Sequence, residues 1–280
     1  MLSAFLYSET ANKKGFEIMK KIISVILAAM LMMCCLAGCG ANGKTLEDVK
    51  SAGKLVIATS PDFPPFEGLS DGGAVEGIEI DILNIICQDL GVELDIQTMD
   101  FDSVLAGISA GKYDCGVSGI SVDEDRKKNM LFTDPYCLAA QAIVVKEGSP
   151  IASKADLTGK KISCQTSTTA AKFCRAEGYD VDEYAANNDA EMALVQGKVD
   201  AWVIDDLTAA EMVASYNSEH DDKLVILPDA MTTEPYAFAF AFGSEELVEE
   251  VNKTIARLLE DGTIASIFEK FNAPYTSPIK

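Results

Sequence analysis

The sequence is poor in histidine and in basic residues, and each shortage excludes classes of function. Its 280 residues contain one histidine, His220, and 23 lysines and arginines against 44 aspartates and glutamates, a formal net charge of −21. His220 lies in the polar run NSEHDDK, and no metal-ligand spacing, nucleophile–base pair or phosphate-binding glycine motif occurs. The negative charge disfavours nucleic acid as a partner. We therefore expect neither a catalytic centre nor a bound metal or cofactor.

A hydrophobic run long enough to span a bilayer is also missing near the start. Two lysines precede an apolar run at residues 22–36, which is interrupted only by Ser24. The sequence LAGC follows at residues 36–39 and ends in Cys39. A run of this length that ends in small residues is typical of a signal peptide and not of a transmembrane helix. We interpret residues 1–38 as a leader, with Met19 as the true initiator.

The LAGC sequence resembles a bacterial lipobox, in which Cys39 is lipidated and becomes the mature N-terminus. Residues 39–44 are then a lipidated N-terminus and linker. Acyl chains tether such a protein to the outer face of the cell membrane without spanning it. Cleavage at another small residue is the alternative. Removal of residues 1–38 leaves 19 basic and 42 acidic residues.

The mature chain keeps an odd number of cysteines that could pair with one another. Cys34 and Cys35 leave with the signal and Cys39 carries the lipid, so at least one of the remaining thiols stays unpaired. These cysteines show no CxxC spacing and lie in predicted strands and helices, so we expect mostly small buried hydrophobic residues. One bridge between Cys164 and Cys174 remains open. The remaining cysteines are Cys87, Cys115, Cys137, Cys164 and Cys174.

Short apolar runs alternate with helical patterns from Thr45 onward, which predicts an α/β fold with mostly parallel strands. One pattern occurs twice: GKYD at residues 111–114 and GKVD at residues 197–200 each follow an amphipathic helix and open an apolar strand. This repetition predicts two similar lobes. Ligands of open α/β sheets lie beyond the carboxyl ends of the strands, so both lobes should face one cleft.

The predicted lobes exchange the chain twice. We predict lobe 1 from residues 45–138 plus 236–280 and lobe 2 from residues 139–235. Residues 140–145 are expected to cross between the lobes, and residues 235–239 to return. Two such crossings form a hinge whose closure buries a ligand.

The most informative segment places a single arginine beyond the end of a buried strand. A strand at residues 113–117 is followed by the small residues Ser118, Gly119 and Ser121, and then by an acidic turn that opens a short helix carrying Arg126. A guanidinium is always charged and matches a carboxylate through two parallel hydrogen bonds. This arrangement predicts a binding site for an α-carboxylate.

Several motifs in a fixed order give the chain a family resemblance. They are the spacing of Gly119, Ser121 and Arg126, FTDPY at residues 132–136, SPDFPPFE at 60–67, VDAWVIDD at 199–206 and EDGTIASIFEKF at 260–271. From about Thr45 onward the chain resembles the family 3 extracellular solute-binding proteins, the amino-acid-binding components of ABC importers.

The resemblance implies a fold, a function and partners. The expected fold is the two-lobed, type II periplasmic-binding-protein-like α/β fold with a hinge and a ligand cleft between the lobes. The expected function is capture of a polar L-amino acid by a monomeric lipoprotein, which delivers the ligand to a membrane permease driven by an ATPase.

The resemblance also assigns roles to individual residues. Asp205 matches the ligand of the α-ammonium group, and Asp206 is interpreted as a cap for the following helix. Phe63 and Phe101 match positions of the walls around the ligand's side chain. Gly119 and Ser121 are expected to supply a carbonyl for the ammonium and a hydroxyl or amide for the carboxylate.

The second lobe is expected to contribute through the start of a helix. Gln165 and the residues after it precede a helix that begins near Ala170, and amides at a helix N-terminus bind anions. Thr169 is the predicted carboxylate contact, with Gln165 as a weaker candidate; N-capping by Ser167 or Thr168 is the alternative reading. The family often has glycine at the position of Ser167.

The side chain of the ligand is left open by the sequence. Binders of basic amino acids in this family commonly carry aspartate at the position matched by Ser60, a further weaker candidate for the site. Asp62, Glu67 or Asp102 could replace that charge. Glutamine, cystine-like and other polar amino acids therefore all remain candidates.

Two alternatives belong to other functional classes. Some proteins on this scaffold are dehydratases, but the sequence offers no catalytic arrangement, and neighbouring Asp205 and Asp206 should point apart. An extracellular sensor is expected to continue into a membrane helix and a signalling module, whereas this sequence ends at Lys280. We therefore expect an import component and not an enzyme.

Overall fold

The structure is a computed structural model that describes residues 43–229 and 231–279. Its first half contains the following elements, in chain order: α1 (Leu46–Ala52), β1 (Lys54–Thr59), β2 (Gly68–Leu69), β3 (Val75–Glu76), α2 (Ile78–Leu90), β4 (Glu93–Thr98), α3 (Phe101–Ser109), β5 (Cys115–Gly116), a 3₁₀ turn (Arg126–Lys128), β6 (Leu131–Phe132), β7 (Cys137–Ala139) and β8 (Gln141–Lys146). The predicted leader, the initiator Met19 and the lipidation site Cys39 lie outside the described residues.

The second half continues the alternation of strands and helices. Its elements are a 3₁₀ turn (Lys154–Leu157), β9 (Lys161–Gln165), α4 (Thr169–Ala176), β10 (Asp180–Tyr184), α5 (Asn187–Val195), β11 (Ala201–Asp205), α6 (Asp206–Glu219), β12 (Leu224–Ile226), β13 (Glu234–Tyr236), β14 (Ala239–Phe240), α7 (Glu245–Glu260) and α8 (Thr263–Lys270).

Two five-stranded sheets organise these elements into two lobes. The first lobe is built on the order β4-β1-β5-β14-β6, and the second on β10-β9-β11-β8-β12. In each sheet the first three strands are parallel, whereas β14 and β8 run antiparallel to their neighbours. The predicted two-lobed α/β class is therefore confirmed, but the sheets are mixed because a strand arriving from the other lobe enters each of them.

The chain passes between the sheets through a separate pair of short strands. β7 follows β6 of the first sheet, β13 follows β12 of the second, and the two pair antiparallel with Glu234 opposite Ala139 and Tyr236 opposite Cys137. The prediction that residues 140–145 cross between the lobes was wrong, because residues 141–146 form β8 inside the second sheet.

The two C-terminal helices pack on the first lobe. Lys270 of α8 forms an ion pair with Asp81 of α2 at 2.6 Å, and Arg257 of α7 forms one with Asp89 of the same helix at 2.6 Å. Fully buried apolar residues of β1 and α2 lie in the same core cluster as residues of α7 and α8. Among the described residues, no helix is long and apolar enough to cross a membrane.

Two local predictions were too long. The strand predicted at residues 113–117 is reduced to Cys115–Gly116, and the helix predicted to carry Arg126 is one 3₁₀ turn. The Asp114 carboxylate accepts a hydrogen bond from the amide of Val56 at 2.8 Å, and the Asp114 amide donates to the carbonyl of Val56 at 2.8 Å. The five cysteines of the described chain are buried free thiols, and burial raises the pKa of Cys87 to about 11.

Candidate ligand-binding site

A small pocket lies where the carboxyl ends of strands from both lobes meet. About 290 Å³ of space, part of it open to solvent, lies there between the first and second lobes. The residues that line it are Phe63, Phe101, Ser118, Gly119, Ser121, Arg126, Gln165, Thr168, Thr169 and Asp205. Eight of these were predicted from the sequence, whereas Ser118 and Thr168 were not singled out as ligand contacts. The predicted Ser60 lies outside this lining.

Arg126 is placed by the acidic turn that precedes it. The Asp123 carboxylate accepts hydrogen bonds of 2.7 Å from the amides of Asp125 and Arg126 and so holds the turn. The guanidinium donates to the carbonyl of Ser121 at 2.8 Å and, across the cleft, to the carbonyl of Ser167 at 3.1 Å. Further N–H donors of the guanidinium remain for a ligand carboxylate.

The electrostatic surroundings of Arg126 combine burial with negative charge. Its guanidinium carbon lies 5.5 Å from the centre of the Phe101 ring, a separation at which a cation is attracted to an aromatic face. Burial lowers the pKa of Arg126, and the negative charges of Asp123, Glu234 and Asp205 oppose that effect. Among the described residues that line the pocket, Arg126 is the one cation.

The loop before α4 presents its backbone to the guanidinium. Ser167 has a φ of +66°, a left-handed conformation that side chains disfavour and glycine adopts freely. This explains why a glycine is suited to that position. The Thr168 hydroxyl accepts from the amide of Ala171 at 3.2 Å, so Thr168 is the N-cap and α4 begins at Thr169.

Asp205 ends β11, and its buried side chain lines the pocket. Its Oδ1 accepts a hydrogen bond from Gln141 Nε2 at 2.8 Å and another from the Tyr236 hydroxyl. Burial, followed by the negative charge of Glu234, raises the pKa of Asp205 to about 7. An ammonium group in the pocket reverses this balance because it favours the carboxylate. The next residue, Asp206, faces different groups and accepts from the amides of Leu207 and Ala140.

Glu234 is a site residue that sequence reasoning missed. It lies on the crossing strand β13, is 8% exposed, and accepts hydrogen bonds from Thr169 Oγ1 at 2.6 Å and from Thr232 Oγ1 at 2.9 Å. The Glu234 carboxylate thus fixes the orientation of the Thr169 hydroxyl, which lines the pocket. The available signal was a glutamate between threonines and a proline, immediately before the segment expected to return between the lobes.

Gly119 allows an aromatic ring to cover the pocket. Its φ is +52°, and a Cβ at this position would lie 2.3 Å from the ring of Phe63. Phe63 in turn stacks on Phe66, with ring centres 5.6 Å apart. The close approach of backbone and ring therefore requires glycine.

Two buried glutamates lie beneath this wall. Gly119 donates its amide to Glu79 at 2.9 Å, and the Ser118 hydroxyl donates to Glu67 at 2.8 Å. Burial, followed by the negative charge of Glu79, raises the pKa of Glu67 well above its usual range. Glu67 therefore supports the wall and is not a free charge for a cationic ligand. Of the other candidates, Asp102 is exposed and Asp62 is engaged across the cleft.

A pocket between two α/β lobes, lined by one guanidinium and a buried carboxylate, is typical of proteins that bind a small solute between two lobes. The family model of bacterial extracellular solute-binding proteins, family 3, matches residues 55–274. The chain belongs to this family, and its fold is the type II periplasmic-binding-protein fold.

Three individual relatives show what the chain is similar to. It is 29% identical over 230 residues to the L-cystine-binding protein TcyJ of Escherichia coli (strain K12), covering 81% of this chain and 85% of that protein. A structure of an ancestral arginine-binding protein bound to glutamine shares 35% identity with a TM-score of 0.74, covering 79% of this chain and 99% of that one. An ancestral amino acid-binding protein, described as a precursor of cyclohexadienyl dehydratase, shares 29% identity with a TM-score of 0.74 and covers 81% of this chain and 99% of that one.

Proposed function

We propose that this protein is the substrate-binding lipoprotein of an ABC-type amino-acid importer. It captures a polar L-amino acid by closure of its two lobes and delivers it to a membrane permease that is driven by an ATPase. We also propose that the protein is a monomer, that residues 1–38 are a removed leader, and that Cys39 is lipidated. Residues 39–44 then form the lipidated N-terminus and linker. The proposal also places the lobe boundaries at residues 45–138 plus 236–280 and 139–235.

One observation carries the proposal: the pocket combines Arg126 of the first lobe with Asp205 of the second. An α-amino acid presents a carboxylate and an ammonium on one carbon, and these groups complement a guanidinium and a buried carboxylate. Each lobe holds one of the two partners. A ligand that contacts both lobes favours the closed state, because its contacts are complete only there.

The remaining wall residues have supporting roles in this proposal. Ser121, Thr168 and Thr169 surround the ligand carboxylate near Arg126, and Gly119 supplies its carbonyl to the ammonium group. Phe63 and Phe101 pack against the ligand's side chain. Gln165 contacts that side chain, whereas Ser60 acts from behind the wall.

A ligand screen and two variants test this assignment. Purified protein that starts after Cys39 should show a thermal shift with one or a few L-amino acids, because a ligand that binds the native state stabilises it. Arg126→Ala should then weaken binding about 100-fold or more, since two charge-assisted hydrogen bonds are lost. Lys128→Ala removes an exposed cation of the same 3₁₀ turn and should bind as the wild type does. Retained affinity in Arg126→Ala contradicts the site.

A dehydratase is the second candidate, favoured by the similarity to the ancestral precursor of such an enzyme. A protonated acid near neutral pH can serve proton transfer, and Asp205 has a pKa of about 7. The described residues that line the pocket include no histidine. Mass spectrometry after long incubation with each bound ligand distinguishes the candidates: an unchanged ligand supports import, and loss of the mass of water supports the enzyme.

A further inference from the structure

Asp62 connects the two lobes behind the wall of the ligand pocket. It lies on the first lobe in the loop after β1, yet its Oδ2 accepts hydrogen bonds from two groups of the second lobe. These donors are the side-chain Nε2 of Gln165 at 3.1 Å and the backbone amide of Asn187 at 2.7 Å. The Ser60 hydroxyl donates to the other oxygen, Oδ1, at 2.7 Å.

The contact with Asn187 places a carboxylate at the start of a helix. Asn187 is the first residue of α5, and the N-cap position before it is Ala186, whose side chain cannot accept a hydrogen bond. The helix α4 of the same lobe is capped by its own Thr168. A carboxylate at a helix N-terminus accepts a free amide and interacts favourably with the helix dipole. Asp62 of the first lobe therefore provides the hydrogen-bond acceptor that the N-cap residue of α5, in the second lobe, does not provide.

Asp62 also helps to fix the orientation of Gln165, which lines the pocket. Gln165 Nε2 donates to Asp62 and to the carbonyl of Ala185 at 3.0 Å, and Gln165 Oε1 accepts from Asn187 Nδ2 at 3.0 Å. Both N–H donors of this amide are consumed by protein acceptors. The amide can therefore offer a ligand only its remaining acceptor capacity.

The charges around the pocket disfavour a ligand with an acidic side chain. Arg126 is engaged by the α-carboxylate in the proposed function, and it is the one cation among the described lining residues. Three carboxylates stand nearby: Asp205 in the wall, Glu234 behind Thr169 and Asp62 behind Gln165. An acidic side chain in the ligand meets these carboxylates without a second cation to pair with.

We propose that Asp62 is a latch that closes the lobes by capping α5, and that it restricts the ligand to side chains that are neutral or cationic. The second part rests on the proposed amino-acid-binding function, whereas the first does not. Asp62 contacts no ligand and is a positioning residue, which acts through Gln165 and Asn187. When the lobes separate, α5 loses its carboxylate and Gln165 loses one of its acceptors.

The test compares Asp62→Asn with Asp71→Asn, an exposed change of the same charge on the same lobe. Small-angle X-ray scattering of the ligand-free proteins reports closure, and hydrogen exchange reports protection at the start of α5. Asp62→Asn should have a larger radius of gyration and roughly tenfold faster exchange at Asn187, as one charge-assisted hydrogen bond is lost. Values equal to those of Asp71→Asn overturn the latch.

Binding kinetics test the second part of the proposal. Asp62→Asn should release a bound amino acid about tenfold faster in stopped-flow experiments, and its preference for glutamine over glutamate should narrow. Equal preference in wild type and variant overturns the selectivity role. Asn187→Ala keeps the backbone donor but removes the side chain and should have a smaller effect on opening. If the wild type binds no amino acid, the proposed function fails, while scattering and exchange still decide the latch.

Discussion

The backbone amide of Gly119 donates a hydrogen bond of 2.9 Å to the buried carboxylate of Glu79. The other oxygen of Glu79 accepts from the Tyr136 hydroxyl at 2.6 Å. Glu79 therefore ties a residue of the pocket wall to the core of the first lobe. Glu67 holds the neighbouring Ser118, so two adjacent wall residues rest on two buried carboxyl groups.

The first prediction concerns the proton held by Glu67. Its Oε2 is buried without a hydrogen-bond partner among the described residues, so the site disfavours the charged carboxylate and favours the protonated carboxyl. The native state thus holds a proton that the unfolded chain releases near its ordinary pKa. The contribution of this proton to the free energy of unfolding is fully present at a pH below that ordinary value. It is lost as the pH rises through the raised pKa of Glu67.

Glu67→Gln replaces the protonated acid with a neutral amide of similar shape. Urea unfolding should give nearly equal stabilities for wild type and variant at pH 5, and a variant more stable by at least about 1 kcal/mol at pH 8. The control is Glu76→Gln, which changes an exposed glutamate. A variant that is less stable than wild type at pH 8 contradicts the presence of this proton on Glu67.

The second prediction concerns the close contact of Gly119 with Phe63. Gly119→Ala places a Cβ 2.3 Å from the ring and also imposes a side chain on a φ of +52°. The expected loss is about 2 to 4 kcal/mol, which combines overpacking with left-handed strain. Thermal unfolding measures it.

A matched control separates these two causes. Gly53 has a φ of +70°, and a Cβ built on it meets nothing within 4 Å. Gly53→Ala should therefore cost only about 1 kcal/mol, from backbone strain alone. Equal losses at the two glycines would show that contact with Phe63 is unimportant.

The third prediction follows from the raised pKa of Asp205. Below the unfolded pKa of 3.8 both states hold the proton, but between that value and about 7 only the native state does. The stability of the ligand-free protein should therefore fall as the pH rises through this window, by roughly 4 kcal/mol at most. Asp205→Asn should remove this part of the slope. Urea unfolding at pH 4, 5.5 and 7 compares the two proteins.

The fourth prediction joins ligand binding to the same proton. If the ammonium group of the ligand pairs with ionised Asp205, binding below pH 7 must release a proton. Affinity should rise by up to about tenfold per pH unit below pH 7 and level off above it. Isothermal titration calorimetry in buffers of different ionisation enthalpy counts the released protons. Binding at pH 6 without proton release would rule out this role for Asp205.

Sequence patterns predicted the class and the family because these depend on local order. Alternating apolar runs indicate an α/β fold wherever they occur, and the repeated GKYD and GKVD segments indicated two lobes before any contact was known. The small residues that follow the predicted strand, together with Arg126 after them, predicted a carboxylate-binding site at the strand end. These inferences need only neighbouring residues and the periodicity of strands and helices.

Contacts between distant segments were beyond the reach of these patterns. Asp62 meets Asn187 across 125 positions, and Thr169 meets Glu234 across 65. The first crossing strand was misplaced for the same reason, because an apolar run such as residues 141–146 has the same pattern inside a sheet and between two sheets.

By itself the sequence determined which residue types stand at each strand end. These residue types indicated the family and predicted the binding site for an α-carboxylate. Only the tertiary structure decided which carboxylates are buried, which face one another and which are held by donors from the opposite lobe. The physical reason is that desolvation and hydrogen-bond geometry depend on atoms brought together by folding and not on spacing along the chain. Glu67, Asp205 and Asp62 are all acidic residues in an acidic chain, and burial, charge and partners assign each a different role.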